Sequence, residues 1–140
     1  MQQQTTLRPA ASQRVRAAAQ QLCSAVETRM DELIDLVDHE THLVRDGKLF
    51  AIKEMEPQKT TAAREFIAGL EAVKKIRPTL ETHAPDAIYR LRRRHAEFRA
   101  MLQLSLAALA TARNVSDEML QSISAGQSLG PTALGYPDLS

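Results

Sequence analysis

Apolar residues recur in alternating steps of three and four along the C-terminal third of the chain, between Asp86 and Ala125. This spacing is close to the 3.5-residue period of a helix that packs against partners along one seam. The eleven seam positions are Ile88, Leu91, His95, Phe98, Leu102, Ser105, Leu109, Ala112, Ser116, Met119 and Ile123, and all but His95, Ser105 and Ser116 are apolar. Neither Pro nor Gly occurs in the stretch. At ~1.5 Å per residue the helix would be ~60 Å long, so we expect the rest of the chain to supply partners along it.

Two earlier stretches show the same periodicity. A first helix is predicted over 12–46, with Ser12 as N-cap and Gly47 as the left-handed residue that ends it. A second is predicted over 49–80, with a kink or a fresh start at Pro57. The first seam consists of Val15, Ala18, Leu22, Val26, Met30, Leu33, Val37 and Val44, and the second of Ile52, Ala63, Phe66, Leu70 and Val73.

These patterns predict an all-α fold, an antiparallel helical bundle or coiled coil of three long helices, 12–46, 49–80 and 86–125. Residues 1–11 are predicted as a flexible N-terminus and 12–125 as one bundle domain. The segment 126–140 contains most of the glycines and is predicted as a disordered tail. A two-helix hairpin with the third helix swung out toward a partner stays open as an alternative.

Composition narrows the class of protein. Glycine is scarce at 5 residues, aromatics make up 4%, and the net charge is +1. Scarce aromatics and glycine favour helix over sheet, and the charge indicates no general attraction to nucleic acid or membrane. The single Cys23 excludes an internal disulfide. With no signal core and no apolar run approaching ~20 residues, we expect a soluble, cytoplasmic protein.

Candidate catalytic and metal-binding residues are few. Asp35, His39 and His42 share one helical face, but a di-metal bundle would need Glu-x-x-His pairs on the other helices, and none occur. Cys23 has no basic residue within a turn to activate it. His95 lies in the apolar seam and is predicted to be packed. We therefore expect no catalytic residue, no metal, no cofactor and no enzymatic activity.

A basic run, Arg90 followed by Arg92 to Arg94, admits nucleic-acid binding through phosphate contacts. The low net charge and the lack of stacking aromatics argue against it.

The predicted topology also brings eleven of the eighteen basic residues to one pole: Arg8, Arg14, Arg16, Lys74, Lys75, Arg77, Arg90, Arg92, Arg93, Arg94 and Arg99. A chain with little net charge should then be basic at one end and acidic at the other.

Apolar residues near the end of the third helix form the candidate binding surface. That helix has about 40 residues and its antiparallel neighbour about 32, so roughly eight residues, or ~12 Å, should overhang the bundle. An apolar overhang beside a tail is typical of a site where a partner helix docks. The candidate client-binding residues are Leu109, Val115, Met119, Leu120 and Ile123.

The stretch from His95 to Arg113, with the following 114–118, resembles the last helix of FlgN-type flagellar export chaperones, notably alphaproteobacterial ones. The segment 38–47 resembles the end of that family's first helix, where a Glu, an apolar pair and a Gly-containing turn recur. Lys59 falls near a lysine that the family carries in its second helix. Many members carry a Tyr-Gly pair in the tail, and here Gly135 precedes Tyr136 in reversed order.

The resemblance implies a function that composition does not indicate. Such chaperones hold terminal helical segments of the hook–filament junction proteins, FlgK and FlgL, and deliver them to the type III export gate. It implies FlgK/FlgL-like clients and docking of Tyr136 on the cytosolic domain of FlhA, the gate component. The alternative is a self-associating coiled-coil adaptor, structural or regulatory, that forms a homodimer through the same seams.

Overall fold

The structure is a computed structural model that describes the backbone of residues 2–129 and the side chains of residues 10–125. It contains four helices: α1 (Gln2–Arg45), α2 (Leu49–Lys75), α3 (Arg77–His83) and α4 (Pro85–Leu129). No strand occurs within 2–129, and the all-α prediction is confirmed. Because α1 begins at Gln2, most of the segment predicted as a flexible N-terminus is helical.

Two long helices lie along α1 in opposite directions. Arg29 of α1 pairs with Glu65 of α2 at 3.0 Å between Nε and Oε2, and Glu40, later in α1, pairs with Lys59, earlier in α2. The helices α1 and α2 are therefore antiparallel. Ion pairs to α4 advance together along both helices, from Glu27–Arg90 through Asp31–Arg94 to Glu40–Arg113, so α1 and α4 run parallel.

The turn between α1 and α2 has the predicted glycine. Gly47 adopts a φ of 68°, the left-handed conformation that glycine enters without a Cβ clash. Its N–H donates to Val44 O at 3.1 Å, and the N–H of Lys48 donates to Leu43 O at 2.9 Å. These two bonds satisfy carbonyls at the end of α1 in the pattern of a Schellman motif, and they reverse the chain into α2.

The second predicted helix is divided, and the division falls at Ile76 and not at Pro57. The helix α2 runs through Pro57 without restarting. Pro78 has no N–H to donate to the last turn of α2, so the hydrogen-bond ladder of α2 cannot continue through it. It is accommodated in the first turn of α3, where a missing N–H costs nothing. The predicted three helices thus become four.

Apolar packing is concentrated at the pole where α3 lies. There the buried core cluster draws on all four helices: Ala19, Cys23, Val26, Met30, Val73, Leu80, Ala84, Ile88, Leu91 and Phe98. Phe66 of α2 reaches Phe98 of α4 with ring centroids 5.1 Å apart, so side chains bridge the two flanking helices. Two smaller clusters fill the opposite half, one between α1 and α2 and one between α1 and α4.

Candidate helix-binding groove

An open groove of about 470 Å³ lies at the other pole, between the end of α1 and the distal part of α4. Its lining is mostly apolar on the α4 side and includes the α1–α2 turn. The lining residues are Val44, Arg45, Asp46, Gly47, Thr111, Ala112, Val115, Ser116, Met119, Leu120 and Ile123. We refer to this feature as the distal groove.

The distal groove exists because α1 ends before α4 does. Leu109 and Ala112 are buried against Val44, near the end of α1. The helix α4 continues to Leu129, 17 residues past Ala112, or about 25 Å at 1.5 Å per residue. This overhang is about twice the length expected from the sequence. The expected length compared α4 with the antiparallel helix α2, whereas in the structure the overhang begins where the parallel helix α1 ends, level with Ala112.

The heptad seam of α4 continues into this overhang. Its positions are buried or partly buried from Ile88 to Ser116 and exposed from Met119 onward. Met119 is 61% exposed and Ile123 is 48% exposed, although both keep the register of the buried positions before them. The sequence therefore specifies a packing surface for which residues 10–125 provide no partner.

The structure brings together four of the five candidate client-binding residues. Val115 is 51% and Leu120 is 50% exposed, and both line the distal groove with Met119 and Ile123. Leu109 differs, because it is only 5% exposed and packs in the core below the groove. It can support the groove from below but does not present its side chain on the surface.

Glu40, the glutamate of the segment 38–47, holds three helices together beneath the distal groove, a role that was not predicted from the sequence. Glu40 is fully buried in α1 and pairs with Lys59 of α2 and Arg113 of α4. Burial acts to lower the pKa of Lys59, but hydrogen bonds and charges from Glu40 and Glu56 outweigh it and raise that pKa. The sequence did contain one indication that Glu40 is buried, because it lies one turn before Val44 on the inward side of α1.

Other residues considered as catalytic or metal-binding candidates lie on α1. Cys23 is buried, and burial, with the nearby charge of Glu27, raises the pKa of its thiol. A raised pKa disfavours the thiolate that a nucleophile needs. Asp35 and His39 are exposed on α1, and residues 10–125 contain no group of three or more His, Cys, Asp or Glu side chains placed to hold a metal ion.

The basic run of α4 is engaged within the fold. Arg94 makes two 3.0 Å hydrogen bonds to Asp31, and Arg92 makes one of 2.9 Å to Glu81. Arg90 Nε lies 3.3 Å from Glu27 Oε1, a buried oxygen with no hydrogen bond among the described residues. Arg93 Nε lies 3.5 Å from Glu97 Oε1, so a carboxylate faces each of the four guanidinium groups of the run.

Within the part of the chain that the structure describes, no helix has the length and apolar character needed to cross a membrane. Tyr136, the predicted gate-docking residue, lies outside the described residues.

Compared with known proteins, the chain matches no protein-family model, no curated protein and no solved structure. The distal groove and the resemblance in sequence are therefore the two observations that bear on function.

Proposed function

We propose that this chain is a cytoplasmic flagellar type III export chaperone. It binds a terminal helical segment of a hook–filament junction protein, FlgK/FlgL-like, and delivers it to the export gate, the cytosolic domain of FlhA. In this proposal the protein is not an enzyme and uses no cofactor. Its working form is an antiparallel bundle of the three long helices α1, α2 and α4, with the distal groove as the client site.

One observation carries the proposal: the packing seam of α4 runs past the end of α1. Met119 and Ile123 repeat the spacing that buries Phe98 and Leu109 earlier in the helix, yet about half of each side chain is exposed. An amphipathic client helix would supply the missing partner and bury these residues in the same way. Exposed apolar surface of this kind marks interaction sites more often than chance.

The resemblance to FlgN-type chaperones supports the identity of the client. Two of the residues that carry it, Glu40 and Lys59, form an ion pair in the structure. Their pairing gives the resemblance a physical reason, because the two residues fix the register of α1 against α2. The same contact positions the end of α1, where Val44 to Gly47 complete one wall of the distal groove.

A self-associating adaptor is the second candidate. Apolar side chains outside the distal groove favour it, since Met101 is 55% and Leu104 is 73% exposed on α4. A second copy that covered these residues together with the groove would give a coiled-coil homodimer. This form would need no client and would leave the groove occupied.

Co-purification with the C-terminal helix of a FlgK-like protein tests the proposal. The proposal predicts a stoichiometric complex, lost in the double variant Met119→Asp with Ile123→Asp while the far-ultraviolet circular dichroism stays helical. Ile67→Asp is the matched control, because Ile67 is 57% exposed on α2. Melting of the double variant would place these residues in the core, and a homodimer that excludes the client would favour the adaptor.

A further inference from the structure

The charges beside the distal groove indicate the chemistry of its occupant. From Asn114 to Ser140 the chain contains Asp117, Glu118 and Asp138, and no Lys, Arg or His. Arg113, the last basic residue of the chain, is held by the buried Glu40. The groove lining itself contributes one charge of each sign, Arg45 and Asp46. The excess charge on the overhang is therefore negative.

The two carboxylates on α4 border the apolar surface on both sides. At about 100° per residue, the apolar arc runs from Val115 through Met119 and Ile123 to Leu120. Glu118 lies roughly 60° outside the Val115 edge, and Asp117 roughly 60° outside the Leu120 edge. Both side chains are exposed. A helix lying on the apolar arc would thus have a carboxylate beside each of its flanks.

We propose that the distal groove selects an amphipathic helix whose apolar stripe is bordered by Lys or Arg on both sides. This inference rests on the proposed function and names the partner class for the same site. Pairing across the rim adds modest affinity and, more strongly, discriminates against helices that place acidic residues there. Paired flanking charges set partner choice and orientation in coiled coils in the same way.

The negative charge of the overhang also disfavours two occupants that this chain itself could supply. The tail after Leu129 offers Leu134, Tyr136 and Leu139, but its one charged side chain is Asp138. The overhang of a second copy would bring its own Asp117 and Glu118 against those of the first, and close like charges oppose association. A partner helix with basic flanks would instead place positive charges beside Asp117 and Glu118.

Binding of two designed peptides to the full-length chain tests the inference. Both are helical peptides of about 21 residues with one apolar stripe in common, flanked by Lys in one and by Glu in the other, at the positions that flank a coiled-coil seam. Fluorescence anisotropy should give a dissociation constant roughly three- to ten-fold lower for the Lys peptide at ~50 mM salt, with the preference shrinking at ~300 mM. The double variant Asp117→Lys with Glu118→Lys should reverse the preference.

The matched control is Asp35→Lys with Glu71→Lys, which changes the net charge equally at exposed positions on α1 and α2. It should keep the preference for the Lys peptide. Equal affinity of the wild-type chain for both peptides, or an unchanged preference in the Asp117 and Glu118 variant, would overturn the inference and leave helix binding intact. Failure of both peptides to bind would overturn the proposed function itself, and a wild-type dimer that excludes both would assign the groove to a second copy.

Discussion

Glu40 and Arg113, 73 positions apart in the sequence, form an ion pair that fastens α4 to α1 directly below the distal groove. Glu40 also binds Lys59, so one fully buried carboxylate connects the three long helices. A buried charge is stable only while its partners remain, since removal of one partner leaves the other charge uncompensated. This connection therefore fixes where α1 ends relative to α4, and so where the groove begins.

Glu40→Ala should lower the free energy of unfolding by about 1–3 kcal/mol, because it leaves a cavity at a fully buried position and removes the buried partner of Lys59, which keeps only its exposed partner Glu56. Urea titration measures this change. Arg113→Ala should cost less, since Lys59 still compensates Glu40 and the Arg113 side chain is half exposed. The double variant Glu40→Met with Lys59→Met should recover most of the loss. Glu54→Ala, an exposed glutamate in α2, is the control, and an equal loss there would contradict the role given to Glu40.

Gly69 of α2 lies close against α1. A Cβ built at Gly69 would lie 2.8 Å from Cγ2 of Val26. Gly69→Ala should therefore destabilise the fold by about 1–3 kcal/mol, despite the better helix propensity of alanine. In a Val26→Ala background the clash is relieved, and the same substitution should become neutral or stabilising by up to ~1 kcal/mol. Equal effects in both backgrounds, measured by thermal unfolding, would refute the close approach.

His95 should make stability depend on pH. Burial lowers its pKa, and the charges of Arg99 and Lys74 lower it further. Because the folded pKa lies below the unfolded value of about 6.5, stability is fully present above that value and is lost as the pH falls toward the folded pKa. His95→Gln should flatten the dependence between about pH 7 and 5, whereas His39→Gln, at an exposed position, should leave it unchanged. An identical slope in wild type and His95→Gln would contradict this.

The seam of α4 was predictable from sequence because one repeating period controls both its helical form and its buried face. The α1 seam was less so, since α1 contacts α2 on one side and α4 on the other. The single-seam pattern selected Ala18, which is exposed. The neighbouring Ala19 is buried instead, and so is Cys23, one turn further along. The position of Glu40, one turn before Val44, indicates an inward-facing side chain, but its partners Lys59 and Arg113 could not be predicted, because they depend on the register of three helices.

Deleting residues 127–140 should separate the two proposed binding events. Among the side chains that the structure describes, the last one that lines the groove is Ile123, so the shortened chain should bind a FlgK-like helix with unchanged affinity. Binding to the cytosolic domain of FlhA should weaken, because Tyr136 is the only aromatic residue after Phe98 and an aromatic side chain is a common anchor at interfaces. Isothermal titration with each partner measures both. Equal gate affinity with and without the tail would show that Tyr136 does not dock on the gate.

The most direct test of the central claim is amide hydrogen exchange of the full-length chain with and without a FlgK-like C-terminal helix. The overhang of α4 packs against no described helix, so its amides should exchange quickly in the free protein. Client binding should slow exchange over residues 112–125 of α4 and over 44–47 at the end of α1, with little change at the α3 pole. Protection centred on Met101 and Leu104, or none in a preparation that contains the complex, would contradict the distal groove as the client site.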